Sequence, residues 1–490
     1  MILPTSQEKA GPPSPYSLDT LHRLPLAEAF YQVWAFVAPD DFLATLFGQH
    51  RGRCYQDLLS FSELVHVLAD AITRYQGSGH RAINKALEHQ QLSTKLRAVY
   101  GKLGRLPLPL AEALLSGLTS RLRSLFPTGL FRSELPASLA ALELIVLDGK
   151  KIKQAAKRLL ATRGRPGKLF GGKILVAYSP ANGLAVAMAA DPDGEANDIR
   201  LMPRVMVLAR KAVGGPRLWI ADRQFCDLDQ PRRFTEEEGD HFLIRFSAKT
   251  SFTPDPQRPA ATGVDTRGRA FAQEWGWMGR KEDSRRRYVR RIGLERPGEE
   301  TILLVTDLLD ESIYPAADLL EAYLLRWQIE NAFQQITEVF DLRHLIGCTP
   351  RATVFQASLC LVIYNIVQVI RAYAALSGPS PVKVETLSSE KLFLDLREEL
   401  TSVHRVLKLE ELLSCLSEVP TTAEQVGKRL RELLGRAWSA NWKKAVNKKP
   451  QSFRPPQKQS GAHTSVHKIL EEAKARRRMP VPRLENELCK

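Results

Sequence analysis

The fold is decided by the stretch Leu144-Ile-Val-Leu-Asp-Gly149. Its four apolar residues form a short run of the kind that buried strands use, and Asp148-Gly149 closes the run. Similar strand candidates follow at residues 173–178, 184–190, 217–221 and 241–246, with a helix candidate at 199–213. The order strand, strand, strand, helix, strand, helix, strand predicts a mixed α/β sheet.

Two of these predicted strands end in an aspartate. Asp148 closes the first strand, and Asp222 closes the strand at residues 217–221. The carboxyl ends of strands in open α/β sheets are where ligand sites gather. Each aspartate also fits a plainer role as a turn residue or a helix N-cap, and this alternative is strongest for Asp148 before Gly149.

A third carboxylate lies in the stretch Tyr323-Leu-Leu-Arg-Trp-Gln-Ile-Glu330. On one α-helix, Tyr323, Arg326 and Glu330 fall within an arc of roughly 60°. Such a face offers a phosphate-binding guanidinium beside an acid that can hold a divalent metal, although a solvated salt bridge has the same spacing. Phosphoryl transfer with two metal ions needs converging carboxylates, and Asp148, Asp222 and Glu330 meet that need.

The segments around this core differ in composition. An apolar helix is predicted at 352–376, and its polar interruptions favour a buried core helix over a membrane span. The N-terminal helices carry interspersed basic residues, which suit either a DNA-binding domain or a bundle with solvated charges. The predicted regions are a disordered lead (1–20), a helical DNA-binding domain (21–135), an α/β catalytic core (136–246 and 312–376), a β-rich insertion (247–311), a helical C-terminal region (377–440) and a basic tail (441–490).

The charge of the whole chain indicates the class of partner. Its formal net charge is +16, which favours a polyanion, and nucleic acid is the commonest one. A ribosome-associated or membrane-surface protein is the alternative. The six cysteines lack CxxC spacing, which argues against a zinc site or a disulfide framework and fits a reduced cytosol. The first 15 residues lack the pattern of a signal peptide.

Three segments together resemble a known family. These are Leu144–Lys153, Leu218–Phe225 and Tyr323–Glu330, in this order and with a β-rich segment between the second and third. They resemble the DDE transposases of bacterial insertion sequences, in the IS-four type branch with a Tyr-Arg-Glu-Lys signature. The resemblance spans roughly residues 90–375.

This resemblance implies an RNase H-like catalytic core with Asp148, Asp222 and Glu330 as its metal-binding triad. It also implies that Tyr323 and Arg326 contact phosphates of the transposon end and that Arg223 lies beside the site. One position departs from the family: the lysine expected seven residues after the glutamate is Thr337 here. Its hydroxyl can donate to a phosphate, but without the charge. Glu338 is a weaker rival carboxylate.

Further DNA contacts are predicted on basic and aromatic residues. The basic stretch after Asp148 either follows a phosphate backbone or forms a solvated hairpin, and Trp275 and Trp277 either stack on an unpaired base or pack the insertion. The basic residues chosen as DNA contacts are Lys150, Lys151, Lys153, Arg163 and Arg165.

The function that follows from the resemblance is cut-and-paste DNA transposition. Two Mg²⁺ ions, or Mn²⁺ as a substitute, are expected as cofactors, with transposon inverted repeats and target DNA as double-stranded partners. A dimer on DNA, no membrane, and a bacterial cytoplasm with nucleoid association are expected. The alternatives are an RNase H-like nuclease that cuts without strand transfer, and a transposase-derived DNA-binding protein without catalysis.

Overall fold

The computed structural model describes residues 14–55, 57–92, 94–127, 135–153, 157–296, 300–407, 409–415, 422–445 and 463–478. The N-terminal helices are α1 (Pro15–His22), α2 (Pro25–Val37), α3 (Asp40–His50), α4 (Phe61–Thr73), α5 (Gly79–Glu88), α6 (Leu96–Leu103) and α7 (Leu108–Leu125). The α/β core follows as β1 (Glu143–Lys153), β2 (Leu169–Ser179), β3 (Leu184–Asp191), α8 (Asp198–Ala212), β4 (Arg217–Ala221), α9 (Gln230–Phe234) and β5 (His241–Arg245).

The remaining elements complete the sheet and cover it with helices. The β-rich segment holds β6 (Phe252–Pro254), β7 (Ala261–Val264), β8 (Ala270–Met278), β9 (Arg287–Leu294) and β10 (Ile302–Thr306). The later elements are α10 (Ala316–Leu324), α11 (Trp327–Glu338), α12 (Pro350–Ser377), α13 (Ser389–Val406), α14 (Leu409–Cys415), α15 (Ala423–Ala437), β11 (Thr464–Ser465) and α16 (Val466–Arg478).

The described strands form one continuous sheet in the order β11-β2-β1-β4-β5-β10-β9-β8-β6, with β3 also paired to β2 and β7 to β8. Strand β2 pairs antiparallel with both β1 and β3, whereas β4 and β5 extend the sheet parallel to β1. The predicted fold class, an α/β core with a β-rich insertion between helical regions, is confirmed. The insertion is not a separate unit, because β10 pairs directly with β5 and continues the core sheet.

Helix α12 is the buried centre of the molecule. Thr349 caps its start by accepting a hydrogen bond from the amide of Ala352, and Pro350 occupies the first turn. Within the described residues it is the one helix long and apolar enough to cross a membrane, and its most apolar window is entirely buried inside the protein. Asn365 anchors it, donating to the carbonyl of Ala185 at 2.8 Å and accepting from the amide of the same residue at 3.0 Å.

The N-terminal helices share a hydrophobic core with the sheet. Helix α7 packs between β3 and α12, and α2 packs against α13 and α15. The apolar side chains of these helices form one cluster with those of α12 and one face of the sheet. The predicted boundary near residue 135 is therefore not a gap in packing.

Both ends of the chain contain regular elements. Residues 15–20 of the lead, which was predicted to be disordered, belong to α1, with Ser14 as its N-cap, and residues 1–13 lie outside the described part. In the predicted basic tail, β11 pairs with the start of β2, and Lys468 of α16 approaches Asp193 at 3.9 Å. Residues 446–462 and 479–490 of that tail lie outside the described part.

A neighbouring side chain packs tightly against β1 at Gly149. A Cβ atom added there would lie 2.2 Å from Oδ1 of Asp198, a buried side chain that is ion-paired with Lys173. We expect Gly149→Ala to lower the free energy of unfolding by about 1–3 kcal/mol, because the buried pair has little room to move. Gly214→Ala is the matched control, since a Cβ there would meet nothing within 4 Å. Urea unfolding followed by circular dichroism measures both, and equal midpoints would rule out this tight contact.

Candidate active site

The first two predicted acids are neighbours across a parallel strand pair. In the register of β1 and β4, Leu147 lies opposite Ala221, and each acid is the next residue along its strand. Neighbouring strands lie about 4.8 Å apart, so the two backbones are close at this point. Side chains alternate along a strand, which puts Asp148 and Asp222 on the face that packs against α11 and α12.

Asp148 does not end its strand, contrary to the prediction. Strand β1 continues to Lys153 and pairs with β2 along this part, while its pairing with β4 stops at Leu147. The turn alternative for Asp148 is therefore excluded. The parallel pairing ends at the acid even though the strand itself does not, so the side chain still lies at the edge of the parallel part of the sheet.

The predicted single helix through Tyr323 and Glu330 is broken. Helix α10 ends at Leu324 and α11 begins at Trp327. At the break, backbone hydrogen bonds join residues three apart instead of four: the amide of Arg326 donates to the carbonyl of Tyr323 at 3.0 Å. No proline or glycine lies at the break. Arg326 and Glu330 remain on one face of the second helix.

Arg326 is the central charge of the site. Its Nη1 lies 2.8 Å from Oε1 of Glu330 and 3.9 Å from Oδ2 of Asp148, and its side chain is only 12% exposed. Burial alone lowers the pKa of Arg326, but nearby Tyr323, Glu330, Asp148 and Asp222 raise it above its ordinary value. The guanidinium therefore stays charged and serves as the counter-ion for the three acids.

Burial has the largest effect on the pKa values of Asp148 and Tyr323, which both lie near Arg326. It raises the pKa of Asp148 to about 6, although Arg326 and a hydrogen bond from the amide of Gly149 at 2.9 Å both lower it. Burial also raises the pKa of Tyr323 to about 12. Tyr323 is 5% exposed, so it supports Arg326 from the core side and does not fit the predicted direct contact with DNA phosphate.

The donor set suits a divalent metal, but the acids are not closed around one. Oδ1 of Asp222 is buried and has no hydrogen-bond partner among the described residues, so one carboxylate oxygen is left for another ligand. Carboxylate oxygens are what Mg²⁺ and Mn²⁺ prefer. Nowhere in the described ranges do three or more acidic, histidine or cysteine side chains group tightly enough to hold an ion. The guanidinium of Arg326 is instead paired with Glu330 and lies near Asp148.

A cleft of about 1030 Å³ opens beside Glu330. Its charged lining consists of Lys150, Lys151, Lys153, Lys173, Glu195, Asp198, Glu330, Glu338 and Arg343. The three lysines of β1 that the sequence predicted as DNA contacts thus share one cleft with a triad member. Arg163 and Arg165 are exposed but lie outside this lining, and Arg165 is 4.0 Å from Glu472 of α16. Arg223 is exposed directly after Asp222.

Lys150 and Thr337 both line the cleft, and their side chains meet at the same backbone carbonyl. The Nζ of Lys150 donates to the carbonyl of Phe333 at 3.0 Å, and the hydroxyl of Thr337 donates to the same oxygen at 2.7 Å. The predicted donation from Thr337 to phosphate is therefore replaced by a bond within α11. Burial lowers the pKa of Lys150 to about 8, which leaves it mostly protonated at neutral pH.

A buried polar cluster behind β1 was not predicted from the sequence. Asp198 lies 2.8 Å from Nζ of Lys173 and accepts a hydrogen bond from Nε2 of Gln224 at 2.9 Å. This cluster connects α8, β2 and the turn after Asp222. Because Gly149 packs directly on Asp198, it also fixes the strand segment that carries Asp148.

The two predicted tryptophans have different environments. Trp275 is 1% exposed, donates to the carbonyl of Leu309 at 2.9 Å and packs under Arg258, so it belongs to the core and does not fit a DNA contact. Trp277 is 38% exposed, with the Arg286 guanidinium 4.5 Å from its ring centroid and an edge contact with Tyr288.

The segment that carries these acids is similar to a known protein family. Residues 140–366, which contain all three acids, match the family model described as the transposase DDE domain. This match supports a DDE transposase. A solved structure, described as a cryo-EM structure of the piggyBac transposase synaptic complex with hairpin DNA, shares 11% identity at a TM-score of 0.38, over 86% of this chain and 87% of that chain. No curated protein matches the chain.

The raised pKa of Asp148 makes a testable contribution to stability. The pKa exceeds that of an unfolded carboxyl, so ionisation disfavours the folded state as the pH rises from about 4 to about 6. Without divalent metal, Asp148→Asn should raise the free energy of unfolding by up to about 3 kcal/mol at pH 7.5 and by little at pH 4. Urea unfolding at both pH values measures this, with the exposed Asp57→Asn as control. An equal gain at both pH values would show that the effect is not ionisation.

Proposed function

We propose that the protein is a DNA transposase that cleaves transposon ends and joins them to target DNA. The observation that carries this proposal is the convergence of Asp148, Asp222 and Glu330 on Arg326 within a segment similar to the transposase DDE domain. Two adjacent strands and one helix supply these groups, so the site is built by the fold and not by a local motif.

Asp148, Asp222 and Glu330 are the residues that would hold Mg²⁺, or Mn²⁺ in its place. When bound, such ions activate the attacking oxygen and stabilise the leaving 3′ oxygen of a phosphodiester. The planar guanidinium of Arg326 suits a pair of phosphate oxygens, and its present partners are carboxylates of similar geometry. Arg326 therefore serves to hold the reacting phosphate beside the acids.

A tyrosine nucleophile is not part of this proposal. Tyr323 lies next to Arg326, but it is almost completely buried and its raised pKa keeps it protonated at neutral pH. Water and then a DNA 3′ hydroxyl are the nucleophiles that the carboxylate site suits. No covalent bond between protein and DNA is required.

Double-stranded DNA is the partner that the charge and the cleft favour. The net charge of +16 and the lysines beside Glu330 suit a phosphate backbone. We further propose that the exposed ring of Trp277, backed by Arg286, stacks on an unpaired base at the cleaved end. Synapsis of two ends would make the active form a dimer, and bacterial insertion sequences of the IS-four type would be its setting, in the cytoplasm with the nucleoid.

The first test of the proposal is cleavage of DNA that carries the inverted repeats flanking the coding region. Single alanine substitutions of Asp148, Asp222 and Glu330 should each reduce Mg²⁺-dependent cleavage at least ~100-fold, since loss of a ligand should exceed the effect of losing a supporting residue. Glu338→Ala removes a neighbouring carboxylate of the same cleft and should retain activity. Wild-type rates in all three triad variants would contradict the assignment. Joining of a pre-cut end to plasmid DNA distinguishes a transposase from a nuclease.

A second test concerns the cleft lysine. Lys150→Ala should weaken duplex binding and reduce the slope of log K against log salt by about one, because one phosphate contact is lost. Wild-type affinity should also fall as the pH rises from about 7 to about 9, through the lowered pKa of Lys150, and the variant should lack this decrease.

Thr337→Lys in the Lys150→Ala background tests whether a lysine on α11 can replace the phosphate contact of Lys150. Because both side chains reach the same Phe333 carbonyl, a lysine from α11 should restore the salt slope. The exposed Lys211→Ala on α8 is the control for charge alone. If Lys211→Ala changed the slope as much as Lys150→Ala, the cleft would have no special role. Fluorescence anisotropy with a labelled duplex gives all of these values.

A further inference from the structure

A second groove lies between the N-terminal helices and the turn that follows α11. It has a volume of about 760 Å³ and runs between the start of α5 and residues 338–346. Ser78 caps α5 by accepting a hydrogen bond from the amide of Arg81 at 3.4 Å. The positive end of the α5 dipole therefore faces the groove from one side.

The two walls of this groove are packed directly on each other. The turn before α5 holds Gln76 and Gly77 in left-handed conformations, with φ of 50° and 74°. A Cβ on Gly77 would lie 3.0 Å from the Cβ of Asp341, and one on Gly79 would lie 2.2 Å from Ile346. The groove is therefore formed before any partner binds.

Basic side chains dominate the exposed rim of the groove. Arg81, Arg158 and Arg343 are exposed, and within the described residues neither Arg81 nor Arg158 has a carboxylate within 4.0 Å. Of the lining acids, Asp341 is buried beneath Arg397, at 3.1 Å. The other two lining acids are Glu338, which accepts a hydrogen bond from Gln334, and the exposed Glu390.

This groove borders the cleft beside Glu330. Glu338 and Arg343 line both spaces, so the two lie side by side. A polyanion that leaves the acidic site past Lys150 would next meet Arg343 and then the guanidiniums of Arg81 and Arg158, which lie beside the rings of Tyr75 and Tyr100 and have no carboxylate partner among the described residues. The path thus alternates between elements of the α/β core and of the N-terminal region.

We propose that this groove binds the phosphate backbone of the DNA where it continues away from the reacting phosphodiester. The proposal rests on the proposed function, which it extends by assigning α5 to the DNA path. Arg81 and Arg158 would then bind phosphates without reading bases, since the groove offers guanidiniums and a helix terminus.

The test is the salt dependence of binding to a duplex of about 30 base pairs, measured by fluorescence anisotropy with the full chain. Arg81→Ala/Arg158→Ala should reduce the slope of log K against log salt by about two and weaken binding on the order of tenfold near 0.1 M salt. Arg81→Lys/Arg158→Lys keeps both charges and should restore most of the slope. Lys428→Ala/Arg431→Ala removes the same charge from the exposed face of α15 and should have little effect.

The outcomes separate this proposal from the proposed function. Wild-type binding with an unchanged slope in the Arg81 and Arg158 alanine variant would overturn the groove assignment alone, as would an equal loss in the α15 control. Wild-type protein that binds no duplex would overturn both proposals. Melting temperatures within about 2 °C of wild type are expected for all variants, because the substituted side chains are exposed.

Discussion

The parallel pairing of β1 with β4 is the constraint on which the rest of the site depends. It ends at Leu147 and Ala221, so the next residue of each strand is a carboxylate on the same face of the sheet. The fold buries the Asp148 carboxyl at this point, and burial raises its pKa, with smaller contributions in the same direction from Glu330 and Asp198.

Arg326 supplies the positive charge that faces these acids. The break between α10 and α11 is the point at which this guanidinium enters the site, and Glu330 follows one turn later to form the shorter ion pair. The buried guanidinium of Arg326 thus balances part of the charge of the three carboxylates.

The strand positions could be predicted from sequence because they depend on local patterns, whereas the roles of the three acids stay predictions. Apolar runs bounded by turn residues marked the strands around Asp148 and Asp222, and the family motifs added Glu330. The continuation of β1 beyond Gly149 could not be predicted in this way, because it depends on pairing with β2. The helix break before Trp327 contains no proline or glycine, so no local sequence signal marked it.

Other parts of the site depend on contacts that are distant in sequence. Asp198 looks like an ordinary residue at a helix start, and only the fold places it between Lys173 and Gln224. Likewise, Trp275 and Trp277 are two residues apart and share one face of β8, so only their neighbours distinguish them: Arg258 and the carbonyl of Leu309 cover Trp275, whereas Trp277 stays 38% exposed. The role of α5 in the groove required the packing of the N-terminal helices against the core.

We propose that Asp148, Asp222 and Glu330 form a divalent-metal site and that Arg326 neutralises these acids when no metal is bound. The most direct measurement is a crystal structure of the protein grown with Mn²⁺, with the metal located by its anomalous scattering. We expect a peak between Asp148 and Asp222, ligated by both, with the ion pair between Arg326 and Glu330 opened. A strong peak elsewhere, or none at saturating Mn²⁺ with that ion pair intact, would contradict the claim.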